Sequence, residues 1–132
     1  MTLTNLEKWE KKLQNILDEL DDILEDRFGN RYRLHPARPK RGATSNKSMD
    51  GLFNITANFT LGIGSESGRG YVLKIKIVTL EEVSAEIKNL VEDIALKKIS
   101  SKLPEVFPHR KLDIKKDGAV IKIFGDLNLD KV

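Results

Sequence analysis

Six carboxylates, Asp18, Glu19, Asp21, Asp22, Glu25 and Asp26, crowd residues 18–26, and residues 27–49 then carry seven Lys/Arg and no acid. Two chemistries follow from these types and spacings. Clustered carboxylates can hold a divalent cation, and a run of bases can grip phosphate by releasing its counterions. The first is disfavoured, because carboxylates on one helix seldom build the oxygen cage that calcium or magnesium needs. A solvated acidic face, or neutralisation by the bases that follow, accounts for the cluster without an ion. The bases Arg31, Arg33, Arg38, Lys40, Arg41 and Lys47, joined by Lys74 and Lys76, form the candidate interaction surface. It would take either a phosphate backbone, in a salt-sensitive way, or a docking protein. Base stacking would want exposed aromatics, whereas Phe53, Phe59 and Tyr71 fall on the apolar side of their segments. Neither an RNA-recognition pattern nor a GxxG clamp is present.

Other residue types offer less. His35 and His109 are the two histidines, and neither stands at helical ligand spacing from another donor, so no zinc site is expected. The serines lie in loops without a nucleophile elbow. Gly62-x-Gly64 sits between two apolar alternations, not before a helix whose amides could meet phosphate. It reads as a hairpin tip, with anion binding near Ser65, Ser67 and Arg69 as the alternative. No catalytic constellation, metal or cofactor is expected.

With 132 residues and no cysteine, the chain fits one domain without disulfides. Its start, MTLTNLEKWEKK, is too charged for a signal peptide, and no apolar run approaches a membrane span. A cytoplasmic protein with no membrane partner is the expectation. The net charge of +3 conceals a strong asymmetry. Residues 1–26 hold three bases and eight acids, residues 27–80 ten bases and two acids, and residues 81–132 ten of each. Such asymmetry steers partners.

The elements that position these charges follow from periodicity. Thr4 and Glu7 match a capping box, and Leu6, Trp9, Leu13, Ile16, Leu17, Leu20, Ile23 and Leu24 recur at helical spacing. A helix over 5–28 follows, stopped by Gly29. Leu6, Trp9, Leu13, Ile16 and Leu20 have an a/d-like spacing. They are expected to pack on the chain's own sheet, with a homodimer face anchored by Trp9 as the alternative. Residues 31–35 alternate as a short strand ended by Pro36. Residues 36–50 are a long basic connection, either functional or disordered. Strands then run from Phe53 to Ile63 and from Tyr71 to Val78. Thr79 and Glu82 form a second capping box before a helix that Pro104 stops. A hairpin about Asp117-Gly118 pairs Ile114 with Ile121, Leu112 with Ile123 and Asp113 with Lys122.

The predicted order is α-β-β-β-α-β-β. It gives a single α+β domain over 1–132, a two-layer sandwich of a mainly antiparallel five-stranded sheet with two helices on one face. This order resembles that of PD-(D/E)xK nucleases, but the carboxylates their metal chemistry needs are missing from 53–61 and 71–78. It is also similar to that of type III secretion chaperones, small dimers that bind extended client segments. The basic middle of this chain departs from their acidic character. The expectation is a non-enzymatic binding or adaptor domain, protein-interacting or chaperone-like, acting on a protein partner or as a homodimer. The alternative is a nucleic-acid-associated domain that uses residues 27–49.

Overall fold

The structure is a computed structural model that describes residues 4–62 and 68–127. Helix α1 spans Asn5–Phe28. The capping box forms as expected: Thr4 Oγ1 accepts the Glu7 N–H at 3.1 Å, and Glu7 Oε2 accepts the Thr4 N–H at 3.4 Å. Trp9, Leu13, Ile16, Leu17, Leu20, Leu24 and Phe28 are buried along one stripe. Gly29 ends the helix for a reason other than left-handed geometry. Its φ is −57°, and a Cβ there would lie 2.4 Å from the Glu25 carbonyl oxygen.

Strands β1 (Phe53–Thr60), β2 (Gly70–Ile77), β3 (Leu112–Asp117) and β4 (Val120–Gly125) form one antiparallel sheet in the order β1-β2-β4-β3. Helix α2 spans Ala85–Val106. Phe53, Ile55, Tyr71, Leu73, Ile121 and Ile123 join the buried stripe of α1 and Val91, Ala95, Ile99 and Leu103 of α2 in one core. Both helices therefore cover the same sheet face, as the alternation predicts. The other face carries Asn54, Thr56, Asn58, Val72, Lys74, Lys76, Lys115, Lys122 and Phe124.

Among the described residues the sheet has four strands, not the expected five. Residues 31–35 form no ladder. They are pinned singly to the chain after β2: His35 N–H donates to Val78 O at 3.0 Å, Thr79 Oγ1 donates to Arg33 O at 2.6 Å, and Arg33 N–H donates to Glu81. Pro36 has no N–H to extend such a contact. The element order behind the nuclease and chaperone resemblances is therefore not the order of this fold. The same contacts explain why α2 starts late. Thr79 is engaged with Arg33, and Ser84 caps the helix instead, accepting the Ile87 N–H at 3.3 Å. Pro104 does not stop α2 but lies in its last turn. There the bond it cannot donate leaves the carbonyl of exposed Ser100 to water.

The β3–β4 hairpin forms with its register moved by two. Ile114 faces Ile123, Leu112 faces Gly125 and Asp113 faces Phe124, which leaves Lys115 opposite Lys122. The turn residues are Gly118 and Ala119. Gly118 has φ 62°, and no non-glycine residue among those described has positive φ, so glycine takes the first central position and Asp117 stays extended. A shift of two preserves the faces, so the core assignment survives and the pairs do not. At the far end, β1 stops at Thr60, and Phe59 and Leu61 are exposed, although Phe59 lies beside Leu13 and Leu17 of α1 on the expected core face. The glycine-rich residues 63–67 of the expected anion loop, Ile63, Ser65 and Ser67 among them, lie outside the described residues.

Candidate functional site: a charged clamp and an open strand edge

The C-terminal half of α1 meets the basic connection directly. Arg41 Nη2 lies 2.7 Å from Asp22 Oδ1, and Lys47 Nζ lies 2.5 Å from Asp22 Oδ2. Arg41 Nη1 is 2.6 Å from Asp21 Oδ1, an ionic contact outside hydrogen-bonding angles, and 3.4 Å from Asp50 Oδ1. Asp50 in turn accepts the Thr44 N–H at 3.0 Å and its hydroxyl at 2.9 Å. Arg38 donates to four backbone carbonyls, those of Ser48, Asp50, Gly51 and Phe53, at 2.7–3.1 Å. Glu25 closes the arrangement by accepting the Phe53 N–H at 2.9 Å. Gly51 (φ 72°) is required beside it, since a Cβ would stand 2.4 Å from Glu25 Oε1. Asp21 and Asp22 are thus neutralised by the bases of the connection, Glu19 by Lys98 and Lys102 of α2 at 3.6 and 3.4 Å, and residues 36–50 are a structured strap.

Burial sets the protonation of the clamp. Asp21 is 2% exposed, and desolvation, against the opposing pull of Arg41, raises its pKa to about 6. Asp22 is lowered, chiefly by its bond from Lys47. In Asp50 burial acts upward, but the Thr44 donors, with Gly42 and Arg41, bring the net shift below the ordinary value.

The predicted interaction residues therefore do not form one surface. Arg38, Arg41 and Lys47 are engaged internally, whereas the side chains of Arg31, Arg33 and Lys40 are exposed. Lys74 and Lys76 are exposed on the uncovered sheet face. Of the five residues expected as a dimer face, Trp9, Leu13, Ile16 and Leu20 are buried in the chain's own core, because sheet and α2 cover that stripe. Leu6 alone among them is exposed, at 42%.

Beside β2 the structure holds a feature that the charges do not announce. β1 pairs with β2 along its whole length, from Thr60↔Gly70 to Phe53↔Ile77. β4 pairs with β2 only from Gly70↔Phe124 to Leu73↔Ile121. Beyond the Leu73↔Ile121 pair, Val120, the first residue of β4, still stands beside Lys74; among the described residues, residues 75–77 then have a strand on one side and a gap on the other. Val78 donates its N–H to Leu52 O at 2.7 Å, which continues the β1 register by one step. Backbone groups point alternately to the two sides of a strand. Lys76 and Lys74 therefore address β1, and Ile77 and Ile75 direct their N–H groups into the gap. The Ile77 carbonyl takes the Thr79 N–H at 3.1 Å.

The gap opens into a groove of about 860 Å³. Ile75, Ile77, Val83, Val91 and Val120 give it an apolar lining. Tyr71 and Leu73 are buried, while Ile75 and Ile77 are only half-buried, as expected where the next strand is missing. The sequence alternates without a break from Tyr71 to Ile77, so nothing in it marks where pairing with β4 ends.

Among the described residues no group of three or more His, Asp or Glu is placed to hold a metal ion. His35 Nδ1 accepts the Ala37 N–H at 3.0 Å in a local turn. No helix of the described residues is long and apolar enough to cross a membrane.

A family model described as "Uncharacterised protein" matches residues 4–125. The chain belongs to that family. The matched span begins at the cap of α1 and ends with β4, so clamp and gap both lie inside it. A protein of Borreliella burgdorferi described as "Uncharacterized protein" is 40% identical over 125 residues, covering 95% of this chain and 98% of that protein. No solved structure matches the chain.

Proposed function

We propose that this is a non-enzymatic, cytoplasmic protein-binding domain that takes an extended segment of a partner protein as an added strand beside residues 75–77 of β2. The end of β4 pairing at Leu73, while β1 pairing continues to Ile77, carries this reading. An exposed edge is a template for another strand, and main-chain bonds supply the affinity of such docking. The partner is a different protein. Two copies joined antiparallel about Ile75 would set Lys74 of each opposite Lys76 of the other, and like charges directly opposite are unfavourable.

Hydrogen exchange tests the reading. In the free protein, the Lys74 and Lys76 amides exchange slowly, and those of Ile75 and Ile77 exchange fast. A photo-reactive amino acid replacing Ile77 then cross-links the partner in cells, and the cross-linked segment slows exchange at Ile75 and Ile77. Equal protection of all four amides in the free protein would show the gap to be closed and the proposal wrong.

A phosphate-backbone partner is the second reading. It is favoured by Lys74 and Lys76 on the open face, with Lys115 5.5 Å from the Phe124 ring centre. Nucleic acid that co-purifies at low salt and leaves at high salt would support it.

A further inference from the structure

We infer that the segment bound at this edge is amphipathic with a fixed pattern. It runs antiparallel to β2, with apolar side chains opposite Ile75 and Ile77, a carboxylate opposite Lys76 and a second carboxylate next along, toward Lys74. The inference rests on the strand-docking reading above and adds the chemistry of the partner.

The direction follows from the sheet. The vacant position is in line with β4, which is antiparallel to β2, and antiparallel pairing is the more stable kind per residue. The pattern follows from the two faces. Side chains opposite Ile75 and Ile77 enter the groove between β2 and the start of α2, against Val83 and Val91. The side chain opposite Lys76, and the one next along toward Lys74, emerge on the face that no helix covers. On the β1 side these lysines meet only Thr56 and Asn54. Among the described residues neither lysine has an ion-pair partner. Their charge is therefore unmet on the side where the new strand would lie, and opposite charges across strands are favourable.

The carboxylates at the groove do not reverse this balance. Glu81 accepts the Arg33 N–H, and Glu92 is held by Lys116 at 2.5 Å. Glu82 also lines the groove, and so does the cation Lys88. Val120, the first residue of β4, stands beside Lys74, so the vacant stretch faces residues 75–77, three residues or about 10 Å at roughly 3.3 Å per residue. It takes the sequence apolar–acidic–apolar, read from the position opposite Ile77 to the position opposite Ile75, and a second acid follows toward Lys74 where the segment must leave the sheet at Val120.

The test uses the full chain, isotope-labelled, and two capped peptides, Thr-Val-Glu-Val-Glu-Thr and Thr-Val-Lys-Val-Lys-Thr. Binding is followed through the amide signals of Ile75 and Ile77. The acidic peptide is expected to shift both signals and to bind about three- to tenfold tighter than the basic one. In the variant carrying Lys74→Glu and Lys76→Glu, both exposed sites, the preference reverses. Equal binding of the two peptides at Ile75 and Ile77 overturns the acidic pattern and leaves strand docking intact. If neither peptide moves these amides, strand docking itself fails, and the pattern with it. Displacement of the acidic peptide by oligo-dT at low salt, with shifts spread over Lys74, Lys76 and Lys115, would assign the face to phosphate and overturn the inference.

Discussion

The clamp on α1 and the open edge of β2 use the same residue types to opposite ends. In the clamp, Arg38, Arg41 and Lys47 find carbonyls and carboxylates of their own chain, down to four acceptors for one guanidinium. At the edge, Lys74 and Lys76 face Thr56 and Asn54, and the N–H groups of Ile75 and Ile77 point to a missing strand. Charge that is conspicuous in sequence can thus be a device for holding a long connection in place. Unmet bonding capacity lies in a plain alternation of isoleucine and lysine. On the reading proposed above, the first region stabilises and the second recognises, and each half of that reading can be broken separately.

The largest effect is expected at Arg38. Arg38→Ala leaves four backbone carbonyls, from the end of the strap to the start of β1, without their shared donor, and bonds from a charged donor contribute more than neutral ones. The expected cost is about 3 kcal/mol in urea unfolding, with faster proteolysis between residues 36 and 50. Arg38→Lys restores little, because a single ammonium lacks the planar fork. A cost below about 0.5 kcal/mol, the range of ordinary surface changes, would remove the clamp's structural role.

Asp21 gives the next effect, with the opposite sign. Its pKa is about 6 in the fold against an ordinary value of 3.8. Between those values the native state holds more protons than the unfolded chain, so this group's contribution to stability falls as pH rises from about 4 to about 6. Above that window ionised Asp21 is a burden that Arg41 only partly offsets. Asp21→Asn is therefore expected to stabilise the protein at pH 7 by about 2 kcal/mol, a gain that vanishes below pH of about 4. Asp22 and Asp50, with lowered pKa values, contribute stability above their ordinary range and lose it as pH falls through it. The clamp is thus most stable at a pH of about 4, above the pH at which Asp22 and Asp50 lose their charge and before ionisation of Asp21 removes its contribution. Loss of stability on Asp21→Asn at pH 7 would mean that the Arg41 contact outweighs the desolvation.

How much of this was legible before the structure depends on the range of the forces involved. The α1 stripe, its cap and the faces of all four strands were legible, because each follows from local periodicity. The false strand at 31–35 shows the limit. Its alternation is real, but Thr79 and Val78, more than forty residues away, capture Arg33 and His35 singly and leave no ladder. The same capture moved the start of α2 from Thr79 to Ser84. The β3–β4 register failed on a choice between two glycine turns that differ by one residue. The clamp was legible as one option, since acids followed by bases invite neutralisation. The gap was not. It depends on β4 lying between β2 and β3, and no local signal gives strand order.

The smallest effect completes the contrast. Lys74→Ala together with Lys76→Ala removes two cations from the exposed face of β2, where neither meets a carboxylate of the described residues. Both side chains leave their backbone bonds to β1 in place, and alanine is only mildly unfavourable in a strand. Stability is expected to change by no more than about 0.5 kcal/mol at pH 7, in either direction. A loss several times larger, approaching that of Arg38→Ala, would mean that these lysines hold the fold as the clamp does. The division between a region that stabilises and a region that recognises would then collapse. A change within that limit, accompanied by loss of the preference for the acidic peptide, is what separates the two.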